Sequence, residues 1–370
     1  MAEGDAGGDA RDPADGGDAS PEPDGSGSPG RRVGLTGLAT YVPDEVVTGE
    51  EIAAESGIPE RVVTEKMGMR EKHVCPADDD HVSDMCVAAG RDALADAGVD
   101  AADLDLVLYH GSEYKDHVVW SAAADVCERL GAEDAYAHES YTLCAGAPVA
   151  LRHTAAQIRV GDLDRALLVA ASREEDLVDY GDEDASFMFN FGSGAAATVL
   201  EADPADDRTR AVVRESAATT DGSFSRDVVM PAGGSARPPS HGTVDAGEHA
   251  LTVPDPEGMK ERLANASAPA FLSVADDALA ASGCDRGDVD FLALTHMKRS
   301  FHGYLCDELG VGEGGSYYLD DYGHVQSADQ ALALTEGLDR GRVDDGDVVL
   351  FLAAGTGYTW AATVLEWVDG

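Results

Sequence analysis

The chain repeats itself in order, and this internal duplication limits the folds open to it. Each of three segments in the first half has a counterpart in the second: residues 93–105 match 278–290, residues 164–171 match 347–354, and AATVLE at 196–201 recurs at 361–366. The first pair reads as a helix, a glycine stop, an acidic turn and an apolar strand. The matches predict a duplicated α/β unit with helices on both faces of the strands, since two copies are too few for a solenoid. We expect the active site where the two halves meet.

The duplication also divides the chain into segments. Residues 1–30 are mostly Gly, Asp, Ala, Pro and Ser, a composition with little to bury that predicts a disordered acidic tail. The rest divides into an N-terminal half over residues 31–205 and a C-terminal half over residues 206–370. Within them we expect a helix over residues 59–69, and a helix over residues 259–282 that Pro269 kinks or splits.

The acidic charge is extreme and is spread through the regions that look folded. The chain has 71 Asp and Glu against 26 Lys and Arg, a formal net charge of −45. Such charge destabilises a compact state by self-repulsion, but at molar salt the Debye length falls to about 3 Å and the repulsion is screened. The composition therefore indicates a protein adapted to a high-salt cytoplasm, and it argues against a nucleic-acid partner.

The cysteine pattern and the hydropathy favour a cytoplasmic enzyme without a metal. None of the six cysteines forms a C-x-x-C pair, and no Cys/His cluster has zinc-finger spacing, so we interpret them as reduced thiols. No apolar run approaches the roughly 20 residues of a membrane helix, and the N-terminus has no hydrophobic signal core.

One cysteine lies where a nucleophile is expected. Residues 135–141 predict a short strand, and a helical pattern with Pro148 in its first turn follows, so Cys144 falls at the strand-to-helix junction. The N–H groups and partial positive charge of a helix N-terminus favour a thiolate there. From position alone, Cys144 is equally well explained as a small buried hydrophobe.

Four short motifs carry a resemblance to a known family: MGMREKH at 67–73, CAG at 144–146, FGSGA at 191–195 and GTGYTW at 355–360. With the duplication, they resemble the thiolase-fold condensing enzymes, and β-ketoacyl synthase III in particular, over residues 32–367. The resemblance implies a five-layered α-β-α-β-α fold from two similar halves, a homodimer, and Claisen condensation of acyl thioesters.

The resemblance also implies the catalytic residues. Cys144 matches the nucleophile and His296 the family's histidine, while His324 stands where synthase III usually has Asn. A thiolate at Cys144 would take the acyl group, and the two imidazoles would stabilise the thioester oxygen of the second substrate as it gains charge. The backbone N–H groups of Cys144 and Thr356 match the family's oxyanion hole.

Four basic residues match the region that binds coenzyme A or the phosphopantetheine arm of a carrier protein: Arg61, Lys66, Lys298 and Arg299. Surface salt bridging remains the alternative for each of them. No cofactor is implied beyond the thioester substrate itself, acyl-CoA or acyl carrier protein. We favour coenzyme A, because an acidic carrier protein would be repelled by a charge of −45 unless salt screens it.

Several alternatives remain open from the sequence. The acyl group could pass to an oxygen or nitrogen nucleophile, or condense without decarboxylation as in hydroxymethylglutaryl-CoA synthase. The latter needs a carboxylate base, for which no motif is found, although Glu139 lies nearby in sequence. A non-catalytic partner subunit would typically have lost the cysteine, and the duplicated halves argue against a cysteine hydrolase.

Overall fold

The computed structural model describes residues 30–368, so the predicted acidic tail lies, apart from Gly30, outside the described residues. The strands are β1 (Val33–Tyr41), β2 (Val46–Thr48), β3 (Glu71–His73), β4 (Leu106–Tyr109), β5 (Tyr136–Glu139), β6 (Arg165–Ser172), β7 (Gly194–Ala202), β8 (Ala211–Thr220), β9 (Val289–Leu294), β10 (Val348–Gly355) and β11 (Thr359–Trp367). The helices are α1 (Gly49–Ser56), α2 (Val82–Ala97), α3 (Ala122–Leu130), α4 (Gly146–Arg159), α5 (His241–Asp245), α6 (Pro256–Ser282), α7 (Arg299–Glu308) and α8 (Asp329–Asp339).

Nine strands form one sheet, in the order β5-β4-β6-β7-β1-β8-β11-β10-β9. The order β8-β11-β10-β9 in the second half repeats β1-β7-β6-β4 in the first, as the duplication predicts. The halves join where β1 pairs antiparallel with β8 at Gly34–Val212 and Leu35–Ala211. The predicted boundary after residue 205 falls between β7 and β8. It stays a prediction, since the chain from Arg31 onward forms one compact unit.

The central strands are near-continuous apolar runs such as β6 and β10, so both of their faces are buried and divide the core into layers. One hydrophobic cluster packs α2 and α3 against the first-half strands, and another packs α6 and α7 against the second-half strands. A third cluster lies between them and joins α4 and α8 to strands of both halves. The predicted five-layered α-β-α-β-α fold is thereby confirmed, and the N-termini of α4 and α8 come together in its middle.

Two local predictions can be compared with the structure. The helix expected over residues 59–69 is present in a shorter form, because residues 60–61 are α-helical and Val62–Met67 continue as a π-helix that ends at Gly68 with φ of 78°. The prediction that Pro269 splits the helix over residues 259–282 was wrong, because α6 continues through 27 residues, and a kink at Pro269 stays a prediction. Pro269 is exposed, so water can hydrogen-bond to the carbonyl that the missing proline N–H leaves free.

The sequence predicts no membrane-spanning helix, and the lengths and hydropathy of the helices can be compared with this prediction. Within residues 30–368, no helix is both long and apolar enough to cross a bilayer.

Candidate active site

Cys144 lies in a short 3₁₀ turn, Leu143–Ala145, that leads directly into α4. We call this segment the Cys144 turn. Leu143 has φ of 51°, a left-handed conformation that is uncommon outside glycine and marks a sharp change in chain direction. The side chain of Cys144 is 5% exposed. The prediction of a cysteine at the strand-to-helix junction is therefore confirmed, and backbone strain is concentrated just before it.

The end of β10 packs against the Cys144 turn. A side chain at Gly355 would place its Cβ 2.1 Å from the carbonyl oxygen of Thr142 and 3.1 Å from the backbone nitrogen of Cys144. Only glycine permits so close an approach of two backbones. Thr356, the predicted oxyanion donor, follows Gly355 in the turn between β10 and β11. Its role stays a prediction.

Among the described residues, the sulfur of Cys144 has two hydrogen-bond partners, and both come from the segment before α8. The Nε2 atom of His324 is 3.0 Å from Sγ. The Oε1 atom of Gln326 is 3.2 Å from Sγ. The predicted nucleophile of the first half therefore contacts a predicted histidine of the second half, as expected for a site between the halves.

A buried carboxylate orients His324. Nδ1 of the imidazole lies 2.6 Å from Oδ2 of Asp329, the first residue of α8. The same Oδ2 accepts from the backbone N–H of His296 at 2.7 Å, and Oδ1 accepts from that of Val325 at 2.7 Å. Burial opposes a charge on His324, but the charges of Asp329 and Cys144 outweigh it and raise the pKa of His324 well above its ordinary value. The imidazole that contacts the sulfur therefore favours its charged form.

His296 is held in a different state. Nδ1 lies 3.0 Å from Nδ2 of Asn190, and an amide nitrogen can only donate, so Nδ1 accepts and Nε2 carries the proton. That Nε2 is buried without a hydrogen-bond partner among the described residues. Burial lowers the pKa of His296 to about 4, which keeps the ring neutral. The site therefore contains one neutral imidazole with an unused N–H and one imidazole that favours the charged form.

Four residues of this cluster were not found from the sequence: Glu174, Asn190, Gln326 and Asp329. Asp329 opens a helix, where an acidic residue is ordinary, so its position gave no signal of a catalytic contact. Asn190 is 106 residues from its partner His296, and Glu174 is 152 residues from Gln326. Such pairs become visible only when the halves are packed.

The predicted basic residues separate into two groups. Lys66 and Lys298 line one pocket of about 430 Å³, together with Phe187 and Ser186. Arg61 lies at the surface, 3.7 Å from Glu65. Arg299 forms an ion pair with Asp320 at 2.5 Å and lies over the Tyr318 ring at 4.2 Å.

Lys298 is only two residues from His296, so the pocket with the two lysines lies next to the catalytic cluster along the chain. The two lysines remain candidates for contact with phosphate, and their role stays a prediction. The arginines have the acidic partners that the salt-bridge alternative requires. Within residues 30–368, no group of His, Cys, Asp or Glu side chains could hold a metal ion.

Glu139, the carboxylate nearest to Cys144 in sequence, hydrogen-bonds to other residues. It accepts hydrogen bonds from Lys115 Nζ, from the Tyr141 hydroxyl and, at 3.2 Å, from the backbone N–H of Ala123. These contacts hold the pKa of Glu139 below its ordinary value despite partial burial. A carboxylate that is paired in this way is a poor general base.

Two family models match the chain. The model described as 3-oxoacyl-[acyl-carrier-protein (ACP)] synthase III matches residues 140–222, and the model of the C-terminal part of that enzyme matches residues 279–367. The first match contains Cys144. The second contains both His296 and His324.

Curated relatives match over nearly the whole length. The β-ketoacyl-[acyl-carrier-protein] synthase III of Symbiobacterium thermophilum is 30% identical over 338 residues, which cover 91% of this chain and 98% of that protein. The protein of the same name from Solibacter usitatus is 29% identical over 335 residues, covering 90% and 98%.

Solved structures of similar proteins have the same fold. The priming β-ketosynthase of the R1128 polyketide biosynthetic pathway superposes with a TM-score of 0.78 at 26% identity, covering 93% of this chain and 99% of that one. The 3-oxoacyl-(acyl carrier protein) synthase III of Pseudomonas aeruginosa PAO1 gives 0.77 at 23% identity, covering 92% and 99%. With its duplicated five-layered fold and a cysteine turn in contact with His324, the chain belongs to the β-ketoacyl-[acyl-carrier-protein] synthase III family of thiolase-fold enzymes.

Proposed function

We propose that this protein is an acyltransferase that condenses acyl thioesters by Claisen chemistry, with the acyl group held on Cys144. The observation that carries the proposal is the 3.0 Å contact between Cys144 Sγ and His324 Nε2, with Asp329 hydrogen-bonded to the other side of the imidazole. A nucleophile, a base and a group that orients the base are the parts that nucleophilic catalysis requires.

In the first half-reaction, the thiolate of Cys144 attacks the thioester carbonyl. The carbon–sulfur bond to the carrier breaks, and the departing thiolate takes the proton that His324 holds at Nε2. Backbone N–H groups of Cys144 and Thr356 are the proposed donors to the carbonyl oxygen during this step. The close packing of Gly355 on the Cys144 turn supports this assignment.

In the second half-reaction, a malonyl-type thioester loses CO₂ and becomes an enolate. Among residues 30–368, the N–H at Nε2 of His296 has no hydrogen-bond partner, which supports its role as a donor to the enolate oxygen. The enolate carbon then attacks the acyl carbonyl on Cys144, the cysteine thiolate leaves beside His324, and a proton from solvent returns to His324 Nε2. A neutral His296 suits this step because it donates a hydrogen bond without having to lose a charge.

A second candidate keeps the acyl-Cys144 step but transfers the acyl group to an oxygen or nitrogen nucleophile. The observation that favours it is the pairing of His324 with Asp329, since a histidine oriented by a carboxylate can take a proton from an acceptor hydroxyl or amine. The Asn that is usual at this position has no such capacity. The family match places condensation first.

For the donor we propose coenzyme A thioesters rather than a carrier protein. The pocket with Lys66 and Lys298 supports phosphate binding, and two of the chain's five lysines lie there. A net charge of −45 opposes the approach of an acidic carrier. No cofactor beyond the thioester is part of the proposal.

We further propose a homodimer in a high-salt cytoplasm. Strand β5 is at the edge of the sheet, so one side of its backbone is available for pairing. The loop after β4 is joined to β5 by the Lys115–Glu139 ion pair, and it exposes Val118 and Val119 almost completely. Adjacent exposed apolar residues beside an open strand edge support an interface between two copies.

The test is intact mass after mixing the protein, in molar KCl, with a panel of acyl-CoAs, beside Cys144→Ala. We expect a mass gain equal to the acyl group that is absent in the variant. Malonyl-CoA added to the acylated protein should release CO₂ and clear the adduct, whereas an acceptor alcohol or amine should not. Clearance by the alcohol or amine alone would favour the second candidate. The absence of an adduct from both CoA and carrier-bound donors would overturn the acyl-Cys144 step.

A further inference from the structure

A buried glutamine–glutamate pair contacts the nucleophile, and the reaction steps above do not use it. Gln326 places Oε1 3.2 Å from Sγ of Cys144, and its Nε2 donates to Oε2 of Glu174. Both side chains are buried. Glu174 is therefore two hydrogen bonds away from the reacting sulfur.

The surroundings of Glu174 determine which end of the Gln326 amide faces the sulfur. The backbone N–H of Tyr114 donates to Oγ of Ser112 at 2.9 Å, so the hydroxyl proton of Ser112 is left to donate to Oε1 of Glu174, at 2.5 Å. The carboxylate is thus an acceptor on both oxygens, and the amide must turn Nε2 toward it. Consequently the acceptor end, Oε1, must face Cys144.

An acceptor beside the sulfur and a donor beside the sulfur favour opposite protonation states. Oε1 of Gln326 can accept from a thiol S–H, but it repels a thiolate. Nε2 of His324, oriented by Asp329, donates to a thiolate. The fraction of thiolate in the resting site therefore depends on the balance between these two contacts.

We propose that Glu174 is a positioning residue that acts through Gln326 to restrain ionisation of Cys144 in the resting enzyme. This role of Glu174 rests on the proposed role of Cys144 as the nucleophile. Glu174 fixes the Gln326 amide with its oxygen toward the sulfur, and this sets the pH range over which Cys144 reacts with its first substrate. Burial raises the pKa of Glu174 above its ordinary value, but proton uptake there leaves Gln326 Nε2 with an oxygen to bind.

The experiment measures alkylation of Cys144 by iodoacetamide across pH, in molar KCl, by mass spectrometry of the peptide that contains Cys144. In Glu174→Gln the Gln326 amide is free to turn its N–H toward the sulfur. We expect the alkylation curve to move to lower pH by about one unit, because a donor replaces an acceptor next to a developing charge. Gln326→Leu, which removes the acceptor, should move the curve in the same direction.

The double variant separates positioning from the simple loss of a negative charge. If Glu174 acts through Gln326, then Glu174→Gln in the Gln326→Leu background should cause no further shift. A further shift would assign the effect to charge alone and overturn the proposal. A curve for Glu174→Gln or Gln326→Leu that coincides with the wild type would also overturn it. Glu113→Gln, an exposed acid near Glu174 with no contact to Gln326, should leave the curve unchanged.

Two features keep this test decisive. If Glu174→Gln fails to fold, Gln326→Leu leaves Glu174 in place and its curve decides the outcome. Alkylation needs no acyl donor, so failure of every thioester to acylate Cys144 would count against the proposed function while leaving the alkylation result intact.

Discussion

The Cys144 turn has a structural counterpart in the other half of the molecule. Residues Gln326–Ala328 form a 3₁₀ turn that leads into α8, just as Leu143–Ala145 leads into α4. We call it the Ser327 turn. Its first residue has φ of 54°, against 51° in the Cys144 turn. The residue that follows is Cys144 in one turn and Ser327 in the other.

Each turn is held by a histidine from the opposite half, and the two histidines differ in charge. His324 contacts Cys144 and has the Asp329 carboxylate behind it. His110 contacts Oγ of Ser327 at 2.6 Å, and burial lowers its pKa to about 4. The same backbone turn thus faces an imidazole that favours the charged form in one half and a neutral imidazole in a structural hydrogen bond in the other.

The difference comes from the first residue of each helix. Asp329 opens α8 and supplies the carboxylate that orients His324. The equivalent residue of α4 is Gly146, where a Cβ would lie 2.4 Å from Oγ of Ser327. One copy of the duplicated turn therefore carries an acid at this position, and the other has no room for a side chain. The two turns share their backbone conformation, while the chemistry differs at the second residue of the turn and at the first residue of the helix.

The test with the largest expected effect replaces the second residue of each turn with alanine. Cys144→Ala should abolish acyl-adduct formation and lower condensation by at least about 1,000-fold, because no other group replaces the nucleophile. Ser327→Ala should keep the activity and lose about 1–2 kcal/mol of stability, as buried His110 loses its partner. Activity is followed by CO₂ release and stability by urea unfolding in molar KCl. Equal losses of activity in both variants would contradict the assignment of catalysis to one turn.

The next test removes the acid that separates the two copies. Asp329→Asn should lower the pKa of His324 and weaken the charged form of the imidazole beside Cys144. We expect the rate of Cys144 acylation to fall by roughly 10²–10⁴-fold, the range for a group that orients a catalytic histidine. Asp339→Asn, an exposed acid at the end of the same helix, is the matched control and should acylate at the wild-type rate. An unchanged rate in Asp329→Asn would reduce the carboxylate to a structural role.

The sequence could predict that the two halves have a similar backbone arrangement. The duplicated segments predicted two similar units, and the packed layers confirm that fold. The junction position of Cys144 followed from a strand pattern next to a helix pattern. Periodicity reports which face of an element is buried, and in both halves this was enough to arrange the elements.

The chemical roles of the site residues could not be predicted in the same way. The roles of His296 and His324 came from resemblance, while Asp329 and Asn190, which give the two histidines different protonation states, came only from the structure. An acid at a helix start is ordinary, and an asparagine before a glycine bend has no catalytic signature. The prediction that Pro269 splits α6 failed for a related reason, since the exposure of Pro269 depends on the packing of α6.

The neutral state of buried His110 predicts that the protein loses stability in acid. The native pKa of His110 is lowered to about 4, so the unfolded state binds more protons than the native state between about pH 6.5 and 4. Its contribution to the free energy of unfolding therefore falls with pH in this range, by up to about 3 kcal/mol.

Urea unfolding at pH 7 and at pH 5 should show a smaller drop for His110→Asn than for the wild type. The exposed His153→Asn is the control, and its drop should match that of the wild type. Equal drops in all three proteins would mean that His110 titrates normally.

The smallest expected effect tests whether the two turns share one backbone conformation. Alanine at a left-handed position is strained and glycine is not, so Leu143→Gly should be more stable than Leu143→Ala by about 1 kcal/mol. Gln326→Gly should exceed Gln326→Ala by a similar amount. At Ala156, an exposed position inside α4, the order should reverse, and Ala156→Gly should lose about 1 kcal/mol. Urea unfolding of these five variants compares the copies directly. A preference for alanine at either position 143 or position 326 would show that the turns differ in backbone as well as in chemistry.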